Sequence, residues 1–438
     1  MRKTCFLIAS LLWTLCTNQV CAQTVEKQNL TIGQMFELAE QNNSRIKAHT
    51  TAVKQAEENV KVAKNAYLPS IDASLSFSYN GDGTILDRDF GNSFRAEIPD
   101  FGNNFVLEVS QVIYAGGAIR SGVKLSELQA QIASLDADRN RQEVRFLIVG
   151  NYLELCKLDN QLKVFDSHIA QTEKVLKDMR IRHEQGTALH NDITRYELQL
   201  QNLNYTKTQL LNAKQILNNQ LTNALGLPKT VEIQAGSIEI HSLEEKDALT
   251  WQEEALHTAI PVQMAETAIR MSEQKKKISQ SDRLPKVALF AMNNLTGPVT
   301  IEIPAINKNF NYWAVGVGIQ YNIGNLYKAN KKVRADKLGI QKAKEEMQVA
   351  QEQIKLGMEA AHIKYKEAYT LLETKQKSVE LASQNYDVVN YRYANDLALI
   401  TDLLDASSQK LDAELQAVNA RINIVYHYYK LHYISGTL

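Results

Sequence analysis

The side chains that could do chemistry in this sequence form few recognisable patterns. Nine histidines are present, but none stands four residues from another along a helix, and neither an HExxH motif nor a cysteine cluster accompanies them. The phosphate loop, the G-x-S-x-G nucleophile elbow and the dinucleotide fingerprint are also absent from the sequence. We therefore predict that the protein is not an enzyme and that it has no cofactor and no metal site.

Two aspartates in the C-terminal part of the sequence form the most suggestive polar pair. Asp402 and Asp405 are three residues apart in a segment with helical periodicity, so they share one helix face. They follow directly after a predicted helix reversal. The alternative is that Asp402 caps the returning helix and that Asp405 simply faces water. Which interpretation holds depends on the helices that carry Asp402 and Asp405.

The elements that position these side chains are very long helices. Between residues 116 and 225, apolar residues recur at alternating steps of three and four, which predicts a long helix, a tight reversal and a returning helix. No proline occurs between residues 100 and 227. A helix of about seventy residues is on the order of 100 Å long, far beyond an ordinary globular helix. A rod of that length belongs to a fibre, a spacer or a tube.

The N-terminal residues indicate export. A short apolar run follows two basic residues, and small residues precede Gln23 at the spacing of signal-peptidase cleavage. We predict a signal peptide at residues 1–22. A lipid anchor on Cys16 or Cys21 is the alternative, although the residue before each is larger than such an anchor favours. Cleavage would leave Cys156 as the only cysteine, which excludes an intramolecular disulfide.

The charges are balanced. The chain has 49 basic and 49 acidic residues, and they are spread along the helices. Such a balance indicates neither a nucleic-acid partner nor an anionic membrane surface.

The sequence contains two copies of one plan. A Leu-Pro turn at residues 68–69 recurs at 284–285, and the reversal that begins at Arg182 recurs at Arg392. Each half runs through short helices, strand, loop, strand, long helix, reversal and returning helix. The predicted organisation is a signal peptide at 1–22, a first repeat at 23–225, a linker at 226–245 and a second repeat at 246–438. Strands are expected at about 69–80, 104–114, 285–295 and 312–322, and hairpin tips at about 184–192 and 393–402.

The predicted strands have one polar and one apolar face. From Ser70 to Tyr79 polar and apolar residues alternate without interruption. A half-buried sheet of a soluble protein would show the same alternation. Three further features favour strands that cross an outer membrane over a soluble sheet. The chain is expected to be exported, its strands are about ten residues long, and aromatic residues lie near the strand ends. Four strands cannot close a barrel, whereas three chains would supply twelve, enough to close and to leave a passage.

With these features the sequence resembles the TolC-like outer-membrane efflux protein family over essentially its whole mature length. The resemblance is carried by the Leu-Pro turns, the two reversals, the strand-to-helix joints at 114–120 and 321–325, the stretch Asp-Leu-Leu-Asp-Ala at 402–406 and the C-terminal Ile-Ser-Gly-Thr-Leu. It implies a homotrimer with a twelve-stranded transmembrane β-barrel, four strands per chain, continued by a long coiled-coil α-helical barrel in the periplasm. It also implies three kinds of partner: a periplasmic adapter (membrane fusion protein), an inner-membrane efflux pump or ABC exporter, and outer-membrane lipid.

The same resemblance assigns roles to residues near the reversals. Positions that match Asp402 and Asp405 line the periplasmic entrance, where six carboxylates in three copies would favour cations and raise one another's pKa. Tyr393 is expected to form a constriction or a link, and Asp192 holds the capping position of the first hairpin that corresponds to Asp402. Both are assigned to the pore entrance. The exposed turns are the expected adapter contacts: Gly186, Thr187, Ala188 and Leu189 in the first hairpin, and Asp396, Leu397, Ala398 and Leu399 in the second.

Two of these positions depart from the family pattern. Asp396 stands where a glycine is usual, and Asp tolerates the left-handed backbone region that such a turn needs. Ala398 stands where some members carry a basic residue, which leaves open whether a salt link closes the tip.

The resulting functional expectation is a passive exit duct for drugs, other small molecules or polypeptides, with energy supplied by an inner-membrane partner. The alternative is a periplasmic or surface coiled-coil scaffold without a conduit. A scaffold would explain the long helices, but it would not explain strands whose apolar face could contact lipid.

Overall fold

The computed structural model describes residues 26–234, 236 and 246–438. The predicted signal peptide and most of the second half of the predicted linker lie outside these residues. The helices are α1 (Ile32–Asn42), α2 (Ser44–Lys64), α3 (Ala118–Glu184), α4 (His190–Leu225), α5 (Ala248–Thr258), α6 (Ile260–Ser281), α7 (Asn325–Ala394) and α8 (Ile400–Ser435). The strands are β1 (Glu26–Asn29), β2 (Ser70–Tyr79), β3 (Gly83–Ile85), β4 (Phe94–Ala96), β5 (Phe101–Tyr114), β6 (Val231–Gln234), β7 (Lys286–Gly297) and β8 (Phe310–Gln320).

The two long helices have the expected size. α3 contains 67 residues and α7 contains 70, and each is followed by a returning helix of 36 residues. Both are rich in helix-forming residues and free of proline, so nothing in their sequence ends them early. Among the described residues, no helix combines the length and the apolar character needed to cross a membrane.

The chain divides into two compact units. The first takes the residues up to 47 together with 140–253 and 357–438, and the second takes 48–139 and 254–356. Each unit therefore combines segments from both sequence repeats.

The main hydrophobic cluster of the first unit joins several helices to a small parallel sheet of β1 and β6. Asn218 of α4 fixes β6 in place: its Nδ2 donates to the Val231 carbonyl and its Oδ1 accepts from the Ile233 N–H, both at 2.8 Å. Because this amide is buried and both of its ends are bonded, it specifies the register of the strand on the helix. The sequence analysis did not predict β1.

Cys156 lies in this cluster as a packed apolar residue. Burial raises the pKa of its thiol to about 12, and the charge of Asp159 adds to the shift. The thiolate, which is the reactive form, is therefore scarcely populated at neutral pH.

The second unit contains an antiparallel sheet of four strands in the order β2-β5-β7-β8. All four lie where strands were expected, although β5 begins at Phe101, earlier than predicted, and β8 ends at Gln320. The segment between β2 and β5, expected to be a loop, also contains the short hairpin β3-β4.

The register gives the sheet one mainly apolar face, to which all four strands contribute. Ile71 pairs with Val109, Val109 with Ala291, and Ala291 with Val315, and residues paired in this way project to the same side. The opposite face carries the polar set, including the pair Asp72 and Glu108. The apolar face is uncovered in the chain: Phe77 is 77% exposed and Trp313 75% exposed.

Gly316 makes room for a ring on the polar face. It pairs with Phe290, and a Cβ added at Gly316 would lie 2.7 Å from the Phe290 Cζ. The ring thus covers the glycine of the neighbouring strand, an arrangement that compensates for the missing side chain.

We expect Gly316→Ala to destabilise the β7-β8 pair by about 1–3 kcal/mol, because the ring or the strand must move. The measurement is the midpoint of thermal unfolding of the detergent-solubilised protein, followed through its sheet signal. Gly318→Ala is the matched control, since its added Cβ would meet its nearest atoms at 3.9 Å. Equal midpoints for the two variants would contradict this account.

Candidate functional site

The ends of the two helical hairpins are packed together in the first unit. Buried residues from α3, α4, α7 and α8 form one hydrophobic cluster: Leu176, Met179, Ile193, Tyr196, Tyr386, Ile400, Leu403 and Ala406. Because each of the four helices contributes to it, the cluster holds both turns in a defined relative position. We refer to this cluster and the two turns above it as the tip.

Both turns of the tip are built on the same backbone motif. In the first hairpin the Thr187 N–H donates to the Arg182 carbonyl at 2.9 Å, and in the second the Leu397 N–H donates to the Arg392 carbonyl at 2.8 Å. This pattern needs a left-handed residue just after the helix end. Gly186 adopts φ = 78° there and Asp396 adopts φ = 58°. The predicted tolerance of Asp396 for this conformation is thus observed.

An ion pair that the sequence analysis did not anticipate joins the two turns. The Arg182 guanidinium forms a salt bridge with the Asp396 carboxylate, donates to the Tyr393 carbonyl at 3.3 Å and lies 5.6 Å from the centre of the Tyr393 ring. Arg392, the counterpart of Arg182 in the second repeat, instead donates to the Leu397 carbonyl of its own turn at 3.1 Å. The two equivalent arginines therefore act differently, one between hairpins and one within a hairpin.

The exchange of glycine for aspartate explains this difference. A glycine at position 396 would relieve the left-handed backbone, whereas the aspartate accepts the strain of about 1–2 kcal/mol that this region imposes on most residues. Its carboxylate is 73% exposed, so the ion pair contributes only about 0.2–1 kcal/mol. The ion pair does not clearly outweigh the backbone strain, so a gain in folding stability does not explain the presence of an aspartate at position 396. Its distinctive contribution is the contact between the hairpins.

Tyr393 and Asp192 lie near each other at the tip. Burial raises the pKa of the Tyr393 hydroxyl, the Asp192 and Asp396 carboxylates raise it further, and Arg182 opposes them. The hydroxyl is therefore protonated at neutral pH and available as a donor. No hydrogen bond joins these two side chains in the part of the chain that the structure describes. The constriction or link expected of Tyr393 stays a prediction.

Asp402 and Asp405 occupy the first two turns of α8. The Asp402 Oδ2 accepts a hydrogen bond from the Leu399 N–H at 3.1 Å, which is the helix-capping role considered as the alternative. Asp405 accepts from the Gln409 side chain at 2.7 Å. Both carboxylates are exposed, beside a buried stripe that contains Leu403. Capping uses one oxygen of Asp402, so its negative charge still faces solvent.

The turns themselves present apolar side chains to solvent. Leu189 is 70% exposed, Leu397 64% and Leu399 70%. Thr187 is also exposed, while Ala188 and Ala398 are partly covered. His183 and His190 flank the first turn, and the His183 Nδ1 hydrogen-bonds to the Ala188 carbonyl at 2.9 Å. Within the described ranges no three His, Cys, Asp or Glu side chains are grouped so that they could hold a metal ion.

Residues 35–227 match the family model described as "Outer membrane efflux protein". The resemblance to the outer-membrane efflux proteins is confirmed. No curated protein matches the sequence. The description of this family, efflux and the outer membrane, agrees with the function class and the location expected from the sequence.

Solved outer-membrane proteins share the fold over more than nine-tenths of the chain. The outer membrane protein VceC from Vibrio cholerae is 15% identical, with a TM-score of 0.75 over 92% of this chain and 96% of that chain. The CmeC outer membrane channel of Campylobacter jejuni is 15% identical (TM-score 0.73, 93% and 85% covered). The MtrE outer membrane channel of Neisseria gonorrhoeae is 14% identical (TM-score 0.73, 92% and 88% covered). At these identities the likeness establishes that this chain shares the fold of these outer-membrane proteins.

We expect Arg182→Gln to loosen the second turn, because it removes the salt bridge to Asp396 and the contact with the Tyr393 carbonyl. The measurement is hydrogen–deuterium exchange of the backbone amides of residues 392–400. Loss of an exposed ion pair should speed their exchange by up to about fivefold.

Arg180→Gln is the matched control for this measurement. Arg180 forms an exposed ion pair with Glu197 at 2.7 Å, and both residues belong to the first hairpin. Its loss should leave exchange at 392–400 unchanged. Equal acceleration in the two variants would show that Arg182 does not link the hairpins.

Proposed function

We propose that the protein is the outer-membrane exit duct of a tripartite efflux or type I secretion system. It acts as a homotrimer in which four strands from each chain close a twelve-stranded barrel in the outer membrane, continued by an α-helical barrel in the periplasm. Small molecules, drugs or polypeptides pass through it passively. The driving energy comes from an inner-membrane efflux pump or ABC exporter, connected through a periplasmic adapter.

The four-stranded sheet is the observation that carries this proposal. Its register collects apolar side chains on one face and polar side chains on the other, and the apolar face is uncovered. An uncovered apolar face formed by four strands is unfavourable in water and favourable against lipid. The polar face, with Asp72 and Glu108, suits a water-filled interior.

The tip supports the second part of the proposal, a selective entrance. Asp402 and Asp405 are exposed carboxylates next to the turns, and three copies would place six of them around one axis. Rings of carboxylates attract cations and repel anions. Asp192 and Tyr393 complete the proposed gate, since both lie beside the Arg182 link.

The exposed leucines of the turns support docking of an adapter. Leu189, Leu397 and Leu399 are exposed apolar side chains on otherwise polar turns, and a partner that covers them removes apolar surface from water. The remaining residues of the two turns surround these leucines and belong to the same proposed contact surface: Gly186, Thr187, Ala188, Asp396 and Ala398. Opening then requires the hairpins to move apart, which breaks the Arg182–Asp396 ion pair.

The test is ion selectivity in a planar lipid bilayer. We expect the wild-type protein to form cation-selective channels, and Asp402→Asn combined with Asp405→Asn to lower the cation-to-anion permeability ratio by about twofold or more. The reversal potential in a salt gradient reports the ratio.

A matched control keeps the change in charge and moves it away from the proposed entrance. Glu359→Gln combined with Glu373→Gln removes two exposed carboxylates from α7, both more than twenty residues before that helix ends at Ala394, and should leave the reversal potential unchanged. Equal shifts in both double variants would contradict the assignment of the gate. A wild-type protein that never conducts, and that washes off the outer membrane at alkaline pH, would favour the scaffold alternative.

A further inference from the structure

The balanced charge of the whole chain conceals a strong local excess. Each of the four long strands has one end joined to a helix, and the twelve residues beyond that end are 58–69, 115–126, 274–285 and 321–332. These four windows contain eleven lysines and arginines but only two acidic residues, Glu58 and Asp282. We refer to them as the basic belt.

The other ends of the same strands lack this excess. The segment between β2 and β5, residues 80–100, contains five acidic residues and two arginines. The segment between β7 and β8, residues 298–309, contains one acidic and one basic residue. The positive charge is therefore a property of the helix side of the sheet and not of strand ends in general.

Most of the basic belt is exposed and few of its members are ion-paired. Lys61 pairs with Glu58 at 2.7 Å, and Lys332 pairs with Asp282 at 2.9 Å. In contrast, Arg120, Lys277 and Lys328 are exposed and form no salt bridge within the described part of the chain. Unpaired cations gathered on one side of a sheet create a positive potential that attracts anions.

Within the basic belt, a groove lies where α6 ends and α3 begins. It has a volume of about 820 Å³ and is lined by Arg120, Lys124 and Lys277 together with the carboxylate of Glu127. Lys124 pairs with Glu127 at 3.0 Å, which leaves two cations of the groove without a carboxylate partner.

The groove also has an apolar border on the side of the strands. Tyr67 and Leu284 line it and are 50% and 43% exposed, and the neighbouring Leu68 is 63% exposed. Cationic groups next to exposed aromatic and aliphatic side chains are typical of a protein surface at the boundary between headgroups and hydrocarbon.

We propose that this groove, with the basic belt around it, binds the phosphate headgroup of an anionic phospholipid. The cations neutralise the phosphate, and the exposed Tyr67, Leu68 and Leu284 meet the adjoining acyl chains. This inference rests on the proposed function, because only strands that cross the membrane bring the groove to the headgroups. According to this inference, the protein binds by charge to the membrane surface on the side where the helices join the strands.

The experiment is native mass spectrometry of the full-length, detergent-purified protein with equal amounts of phosphatidylglycerol and phosphatidylcholine that have the same acyl chains. We expect phosphatidylglycerol adducts to dominate in the wild type. Arg120→Gln, Lys124→Gln and Lys277→Gln together should reduce that preference about tenfold, since each basic residue near a membrane surface contributes measurably to anionic lipid binding.

Two control variants separate the groove from charge in general and from misfolding. Lys163→Gln, Lys174→Gln and Lys177→Gln remove three exposed lysines of α3 far along the sequence from the groove, and should keep the preference. Arg120→Lys, Lys124→Arg and Lys277→Arg retain the charge and should also keep it. The mass of the protein complex in each spectrum reports whether assembly is intact.

Each remaining outcome would overturn the inference. An assembled wild type without a preference for phosphatidylglycerol would refute the lipid site and leave the exit duct standing. A preference that survives in the triple glutamine variant would exclude the groove. Displacement of the lipid by inorganic phosphate at equal concentration would indicate a site for free anions. A wild type that is monomeric and binds no lipid would remove the proposed function together with the site.

Discussion

The two unpaired edges of the four-stranded sheet impose the constraint on which the rest of the account depends. β2 and β8 each have a strand partner on one side only, so a row of backbone N–H and C=O groups is left open on each. In the hydrocarbon region of a membrane no water can satisfy such groups, and only closed sheets are stable there. If the exposed apolar face lies against lipid, as proposed, the open edges require further chains. In the proposed trimer, β2 of one chain pairs with β8 of the next.

The tip shows how one side chain changes the use of a repeated motif. Gly186 and Asp396 hold equivalent turn positions, with the same left-handed backbone and the same pattern of hydrogen bonds. The glycine offers no contact, whereas the aspartate reaches Arg182 of the other hairpin. Because this pair is exposed, it adds little to stability and can be broken at low cost. A contact of that kind suits an entrance that must open when a partner binds.

Much of the fold could be predicted from the sequence because its periodicities are long and uninterrupted. The seam of α3 reflects burial along one side of the helix, and the strict alternation of β2 reflects one apolar and one polar face of the strand, so a pattern of residue types identifies both. β1 could not be predicted, since its four polar residues form a strand only through their pairing with β6. At the tip, the spacing of Asp402 and Asp405 places both on one helix face, and their role at an entrance stays a prediction. The Arg182–Asp396 pair could not be predicted, because it depends on how two hairpins pack. The basic belt does not show in the net charge of the chain, because acidic residues elsewhere balance its lysines and arginines.

The most direct test of the account is disulfide cross-linking between β2 and β8 in membranes. Within one chain these strands are separated by β5 and β7, about 14 Å at ordinary strand spacing, which exceeds the reach of a disulfide. Ser74→Cys would be combined in turn with a single cysteine at each position of β8, in a mature chain that carries Cys156→Ser. The account predicts that at least one pair forms covalent species of two and three chains, with none larger. The absence of inter-chain bonds at every pair, or a ladder that continues beyond three chains, would contradict it.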